Sequence, residues 1–263
     1  MGGAIIEAVC RGTEPQNVVI FDASAEKMRE LAEKTGCGTA KSAGEAIRDA
    51  AFVFLCVKPN VLPDVLRALL PVLKEGLERN DKKIIVSIAA GVTLSAIETI
   101  IGEDGFSLPV VRLMPNTPVA VGKGLILMAP SALASEEEVS ALRGALSQGG
   151  MVSVVDEAYI DPATPVHSCS PAYVYMFIEA LADGGVMSGL PRDKAQKFAA
   201  QAVLGAAAMV LETGKHPGEL KDAVCSPGGS TIVGVEELEK NGFRGAVASA
   251  VYEAYKKTAR LGK

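Results

Sequence analysis

Residues 226–229 have the sequence SPGG and are followed directly by Ser230 and Thr231, so three hydroxyl side chains lie within six residues. Proline followed by glycine favours a tight turn, and the pattern after it predicts a helix that starts near Ser230 or Thr231. The first N–H groups of a helix have no partner within the helix, so they can bind a carboxylate or a phosphate. A turn before a helix is also common as a purely structural element, and both interpretations stay open at this point.

Polar and small residues stand at the ends of three predicted strands. Lys58 closes one strand, Ala89 and Ala90 end the next, and Asn116 and Thr117 follow a third in a loop that contains two prolines. The carboxyl ends of parallel strands face the ligand crevice of an open α/β sheet. A lysine there can meet a phosphate or a ribose, small side chains let a flat ring approach the backbone, and Asn116 and Thr117 can hydrogen-bond a nicotinamide or a substrate. The alternative for Lys58 is a solvated charge at a strand end.

The beginning of the chain is typical of the glycine turn and helix that open a dinucleotide-binding domain. Met1 and Gly2 have this composition, but no strand precedes them. A run VVIFD follows at the spacing of a second strand, and its Asp22 would then bind the hydroxyls of the adenosine ribose. Alternatively, Asp22 caps the strand end. We also expect the functional polypeptide to carry residues before Met1, because a parallel sheet without its first strand exposes unpaired backbone groups.

Residues 1–155 alternate short β-branched runs with helical patterns. The predicted strands are 18–22, 51–57, 83–89, 110–115, 124–129 and 151–156, with helices between most of them, such as 25–34 and 61–77. Near-continuous apolar strands separated by helices are typical of a parallel sheet covered on both faces. The pattern predicts an α/β, Rossmann-like, doubly wound dinucleotide-binding domain whose first strand is missing.

Residues 156–263 contain helical patterns and no strand patterns. The predicted helices are 172–189, 193–214, 231–241 and 245–261, and their many alanines and glycines allow close approach of backbones. This half is too small to cover all of its apolar faces alone, so we expect a helical substrate and dimerisation domain that packs between subunits. The alternative is a compact bundle within one chain.

The composition excludes several classes of protein. The net charge is −5 and the 26 Lys and Arg residues are scattered, which argues against nucleic-acid and membrane-surface partners. The five cysteines are odd in number and lack CxxC spacing, so a reducing cytoplasm is the simplest localisation. With two histidines and no HExxH, a metal site has no support. No stretch is long and apolar enough for a transmembrane helix, and no signal peptide is visible.

The segment DAVCSPGGSTIVGVEELEKNGF closely resembles the signature of the pyrroline-5-carboxylate reductases. The blocks SPAYVYMFIEALADGGVMSGLPR, KFAAQAVLGAAAMVLETGKHPGELKD, VSIAAGVTLSAIE, RLMPNTPVAVGKG and FLCVKP resemble the same family in the same order. The resemblance spans nearly the whole chain, and the SPGGST and MPNTP blocks are its specific parts. It implies a dinucleotide domain, a helical dimerisation domain, and homodimers that often assemble into decamers.

The resemblance also implies the reaction and the site. Hydride passes from NADPH, with NADH as the alternative, to the C=N bond of 1-pyrroline-5-carboxylate, which gives L-proline. The substrate carboxylate is expected on backbone amides around Ser226, Gly229, Ser230 and Thr231, and the Thr231 hydroxyl, the catalytic candidate, against the ring nitrogen. The resemblance and the strand ends together assign the following residues to the cofactor: Met1, Gly2, Asp22, Ser24, Lys58, Ala89, Ala90, Asn116 and Thr117.

Two segments depart from the family pattern. Relatives usually begin earlier, with a strand and a GxGxMG turn of which only Met1 and Gly2 remain, so pyrophosphate binding is in doubt for this chain. Pro165 and Ser168 stand where glycines are typical before the SPAY block. Between them, His167 is a candidate proton donor, with a plain turn residue as the alternative.

The expected chemistry depends mainly on positioning, because the enzyme must hold one carbon of a cyclic imine against the nicotinamide. No acidic residue is clearly placed as a strong acid, so an already protonated iminium or a water supplies the proton. Two other functions are compatible with the sequence: a reductase of another small imine or keto acid, and a dinucleotide-binding scaffold without activity. Hydrolases and transferases lack a recognisable pair of nucleophile and base.

Overall fold

A computed structural model describes residues 1–260 of the chain. The described residues form two compact units. The first comprises Met1–Ser168 together with the end of the last helix from Tyr255 onward, and the second comprises Cys169–Ala254.

The first unit contains the strands of the protein. They are β1 (Val19–Ile20), β2 (Gly38–Thr39), β3 (Phe52–Leu55), β4 (Ile84–Ser87), β5 (Val110–Pro115), β6 (Gly124–Pro130) and β7 (Gly150–Val154). The strands β3-β4-β5-β6-β7 form one sheet in that order, and β1 and β2 form a separate parallel pair. The α/β, Rossmann-like fold predicted for this part of the chain is confirmed.

The larger sheet is parallel except at one pair. β3, β4 and β5 run parallel, β5 and β6 run antiparallel, and β6 and β7 run parallel. The antiparallel pair arises because only a short turn, Thr117–Val121, joins β5 to β6, and such a connection is too short for a crossover helix. Each predicted strand is present, and β2 is the one that the sequence did not predict.

Helices cover both faces of the larger sheet. They are α1 (Gly2–Gly12), α2 (Ala25–Thr35), α3 (Ala43–Ile47), α4 (Leu62–Glu78), α5 (Leu94–Gly102), α6 (Glu136–Leu146) and α7 (Ile160–Thr164). On one face, α4 and α5 pack against Ile85 of β4; on the other, α1 and α6 pack against the adjacent Val86. Neighbouring residues of a strand point to opposite faces, so continuous apolar strands mark a sheet that is buried on both sides.

The boundary between the units lies later than predicted. It falls between Ser168 and Cys169, whereas the sequence placed it between residues 155 and 156. The segment after β7 packs onto the sheet through Ile160, which is fully buried. Two ion pairs also bind this segment to β5, from Arg112 to Glu157 and to Asp161.

The second unit is entirely helical within the described residues. It comprises α8 (Ser170–Met187), α9 (Arg192–Thr213), α10 (Pro217–Ala223), α11 (Ser230–Lys240) and most of α12 (Phe243–Thr258). The helices α8 and α9 enclose a small buried cluster of Ala182, Ala195 and Ala199. Across residues 1–260, none of the helices combines the length and apolarity that crossing a membrane requires.

Candidate functional site

Three of the predicted cofactor segments meet at one edge of the sheet. Lys58 follows β3, Ala89 and Ala90 follow β4, and Asn116 and Thr117 follow β5. These three strands are parallel neighbours, so their carboxyl ends lie at the same edge. Lys58 is exposed, whereas Ala89 is buried and presents little beyond its backbone. The edge therefore combines an accessible positive charge with a flat, small-residue surface, which suits a dinucleotide.

The start of α1 lies beside the end of β3. A Cβ atom added to Gly2 would lie 2.9 Å from the Cβ of Cys56, so a larger residue at this position requires a shift of the backbone. Met1 occupies the N-cap position of α1 and makes no side-chain cap. The helix N-terminus thus stands at the carboxyl end of a strand, where a dinucleotide domain binds pyrophosphate.

Asp22 and Ser24 shape the start of α2. The Asp22 Oδ1 atom accepts a hydrogen bond of 2.8 Å from the Ser24 backbone N–H, and the Ser24 Oγ atom accepts one of 3.4 Å from the Lys27 N–H. These bonds support the capping interpretation of Asp22, but they use one of its two carboxylate oxygens. Asp22 is exposed, so a ribose can reach the other oxygen.

The Asn116 side chain holds its own loop in place. Its Nδ2 atom donates to the carbonyl oxygen of His167 at 2.9 Å, and its Oδ1 atom accepts from the Leu125 N–H at 2.9 Å. Asn116 is buried, and Thr117 begins the turn that follows it. The Asn116 side chain thus makes hydrogen bonds within the protein through both its nitrogen and its oxygen. The backbone of Asn116 and Thr117 lies at the edge of the sheet where the cofactor is predicted to bind.

His167 is engaged within the protein. It lies in a π-helical turn, Pro165–Cys169, where its Nδ1 atom is 2.9 Å from the Ala163 oxygen and its Nε2 atom 3.0 Å from the Met114 oxygen. The residue is only 7% exposed. Both ring nitrogens thus lie against main-chain oxygens, and the Ser168 hydroxyl lies 3.0 Å from Nε2. These contacts favour a role within the turn over the candidate role as proton donor.

The predicted substrate turn has the geometry of an anion site, and it lies in the second unit. The Gly229 N–H donates to the Ser226 oxygen at 3.0 Å across the turn, and Gly228 has a φ of 69°, a left-handed conformation that favours glycine. The helix α11 then begins at Ser230, as predicted, with Gly229 at its N-cap. A glycine N-cap has no side chain to satisfy the first N–H groups of the helix, which leaves them open to a carboxylate.

The candidate groups of this turn are accessible. Ser226, Ser230 and Thr231 are exposed, and Gly229 is half-buried. Thr231 stands in the first turn of α11.

One network at the cofactor edge was not found from the sequence. Arg112 is buried and donates to Glu157 at 3.1 Å and to Asp161 at 2.8 Å. The same Glu157 oxygen accepts from the Leu94 N–H at 2.8 Å, at the start of α5. This network fixes the loop that follows Ala90. The available signal was a charged residue inside the apolar run VVRLMP.

Two family models match separate parts of the chain. Residues 157–261 match the family model described as pyrroline-5-carboxylate reductase dimerisation. Residues 1–91 match the model described as NADP oxidoreductase, coenzyme F420-dependent. The first match begins next to the predicted boundary, although the packing boundary lies later.

Individual relatives agree with the family models. The pyrroline-5-carboxylate reductase of Escherichia coli (strain K12) is 41% identical over 100% of this chain and 95% of its own length. That of Glycine max is 40% identical over 98% of this chain and 90% of its own length.

Solved structures show the same fold. The pyrroline carboxylate reductase of Plasmodium falciparum with NADP bound has a TM-score of 0.85 at 29% identity, covering 100% of this chain and 95% of its own. The pyrroline-5-carboxylate reductase of Streptococcus pyogenes has a TM-score of 0.81 at 33% identity, covering 97% and 94%. With its cofactor edge, its open helix start and these matches together, the chain belongs to the pyrroline-5-carboxylate reductase family.

Proposed function

We propose that the chain reduces the C=N bond of 1-pyrroline-5-carboxylate to give L-proline, the last step of proline biosynthesis, with NADPH as hydride donor. The observation that carries the proposal is the start of α11, where a glycine N-cap leaves backbone N–H groups open to a carboxylate. Membership of the family supplies the identity of the ring that bears this carboxylate.

The substrate is held by the second unit in this proposal. Backbone amides around Ser226, Gly229, Ser230 and Thr231 bind the carboxylate, and the Thr231 hydroxyl orients the ring nitrogen. Hydride adds to the imine carbon, and the nitrogen finishes as a protonated amine. His167 is committed to backbone carbonyls. The imine nitrogen therefore arrives already protonated or receives its proton from water, and after hydride transfer the amine takes its second proton from water.

The cofactor is held by the first unit. Bound NADPH supplies the hydride. The start of α1, with Met1 and Gly2, and the Lys58 ammonium receive its phosphates, which suits their positions at strand and helix ends.

The remaining cofactor residues divide between its two ends. Asp22 and Ser24 lie toward the adenosine ribose. The Asp22 carboxylate repels a 2′-phosphate, whereas the Ser24 hydroxyl can donate a hydrogen bond to it. The small residues Ala89 and Ala90, with Asn116 and Thr117, lie toward the nicotinamide. NADH serves as the alternative donor.

The assembly is a homodimer joined through the helices of the second unit, with a decamer as a further step. Support comes from the family model for dimerisation and from the exposed apolar side chains of α8 and α9. We place the enzyme in the cytoplasm, where its five cysteines remain free thiols.

The proposal is tested by following NADPH oxidation on addition of 1-pyrroline-5-carboxylate, with chromatographic detection of proline. The six-membered homologue and a small keto acid serve as competing substrates, and NADH as the competing donor. We expect the largest kcat/KM for the five-membered ring. A preference for another substrate would assign a different reductase activity, and cofactor binding without any turnover would indicate a scaffold.

Replacement of Thr231 tests the catalytic assignment. We expect Thr231→Ala to lower kcat/KM. The loss of transition-state stabilisation should be about 1.5–4 kcal/mol, the range for one positioned hydrogen-bonding group. Cofactor affinity should stay nearly unchanged, because the residue lies in the other unit. The matched variant Thr231→Ser keeps the hydroxyl and should retain most of the activity. An unchanged rate in Thr231→Ala would remove Thr231 from the site.

A further inference from the structure

We propose that His167 is a positioning residue for the cofactor: its Nε2 atom fixes the Met114 carbonyl and thereby the loop that carries Asn116 and Thr117. The inference rests on the proposed function, because it assigns that loop to the nicotinamide. It gives a role to a buried histidine that the reaction itself does not use.

Three consecutive residues at the end of β5 contact the turn that contains His167. The Met114 oxygen lies 3.0 Å from His167 Nε2. The Ser168 hydroxyl lies 3.0 Å from the same nitrogen and donates to the Pro115 oxygen at 3.3 Å. The Asn116 Nδ2 atom donates to the His167 oxygen at 2.9 Å. These contacts join segments more than fifty residues apart in the chain, so they fix one loop against another.

The composition of the loop makes these contacts necessary. Pro115 and Pro118 lack backbone N–H groups, so at these positions the chain cannot donate to a neighbouring strand. The loop is therefore held at this edge in part by hydrogen bonds to the Met114 oxygen and from the Asn116 amide. In the tautomer that carries its proton on Nε2, His167 supplies a donor at the first of these points, from a buried position where water does not compete.

The position of the loop matters for the cofactor because Thr117 is the next residue at the carboxyl edge of the sheet. Displacement of a binding segment by about 1 Å is enough to weaken a preorganised site. Loss of the His167 Nε2 contact is therefore expected to weaken NADPH binding more than it destabilises the fold.

An imidazole tautomer carries one N–H, so it donates either to the Ala163 oxygen or to the Met114 oxygen, and two isosteric variants separate these contacts. An asparagine at position 167 places its amide N–H near the Nδ1 position, where it reaches the Ala163 oxygen of the same turn. A glutamine places it near the Nε2 position, where it reaches the Met114 oxygen. The main-chain oxygen that accepts from Asn116 is present in both.

The experiment measures the dissociation constant of NADPH by titration calorimetry, with the KM for NADPH and the melting temperature measured beside it. We expect His167→Asn to raise the Kd and the KM for NADPH about tenfold, which corresponds to the loss of one net hydrogen bond. In His167→Gln both constants should stay within about twofold of the wild-type values. His216→Asn is the control, because His216 is the other histidine, caps α10 and is exposed. It should leave both constants unchanged.

An unchanged Kd in His167→Asn, or an equal loss in His167→Gln, would overturn the proposal. A merely structural role would lower the melting temperature and kcat and leave the KM for NADPH as it is. If His167→Asn fails to fold, Ser168→Ala decides, with a Kd raised about threefold in support and an unchanged Kd against. NADPH binding is measured without substrate, so a failure to reduce 1-pyrroline-5-carboxylate would contradict only the proposed function.

Discussion

The two units of the chain bury apolar side chains to very different extents. The first contains three clusters of buried residues, to which Leu66, Leu113 and Ile160 belong. The second has one described cluster, composed of three alanines. Burial of apolar surface is the main favourable term in folding. The first unit therefore gains much stabilisation within the chain, and the second gains little.

The helices of the second unit carry their large apolar residues outward. In the single chain, Met187 is 90% exposed, Leu211 77% and Phe198 56%. Exposure of several large apolar side chains in one unit is typical of an interface. The contrast indicates that the first unit is stabilised within the chain, while the second is stabilised by association.

The largest expected effect is in the core of the first unit. Leu66→Ala should lower the free energy of unfolding by about 2–5 kcal/mol, because Leu66 is fully buried and its removal leaves a cavity. The loss should not depend on protein concentration. Chemical denaturation at two concentrations measures it, and Val121→Ala, at a position 74% exposed, is the control. A strongly concentration-dependent loss would show that the first unit also needs a partner.

A smaller effect is expected on the outward face of α9. Leu204 lies near the middle of this helix and is exposed in the single chain. Leu204→Glu should weaken association by about 1.5–3 kcal/mol, the value of one buried leucine, and should make the melting temperature fall as the protein is diluted. Leu133→Glu, also exposed but in the first unit, is the matched control. Equal behaviour of the two variants would contradict an interface at α9.

The smallest effect concerns cofactor choice in the first unit. Asp22→Ser should raise the NADPH/NADH ratio of kcat/KM roughly two- to fivefold, as expected for removal of one exposed like charge beside a phosphate. Glu33→Ser, at the other end of α2 and also exposed, should leave the ratio unchanged. An unchanged ratio in Asp22→Ser would show that Asp22 does not face the ribose.

Local patterns were enough to predict most of the fold and to propose where the site lies. The strands β3, β4 and β5 are apolar runs bounded by polar residues, and their order along the chain implied that Lys58, Ala90 and Asn116 share an edge. The helix start at Ser230 was predicted from a proline, two glycines and a serine. Each of these features depends on a few adjacent residues and on general rules of helix starts and parallel sheets.

Contacts between distant segments were not predictable in the same way. The Arg112 network joins residues forty-five or more positions apart, and the contacts of His167 span a similar distance. The later boundary between the units depends on Ile160, an apolar residue in a helix too short to show a period. The strand β2 has two residues and no apolar run. These features exist only because the sheet has already brought the segments together.

The mass of the protein in solution tests the contrast between the two units most directly. Light scattering coupled to size exclusion at micromolar concentration should give a dimer or a larger assembly of it, and Leu204→Glu should shift that mass toward the monomer. A folded monomer, with the same melting temperature at every dilution, would contradict stabilisation of the second unit by association.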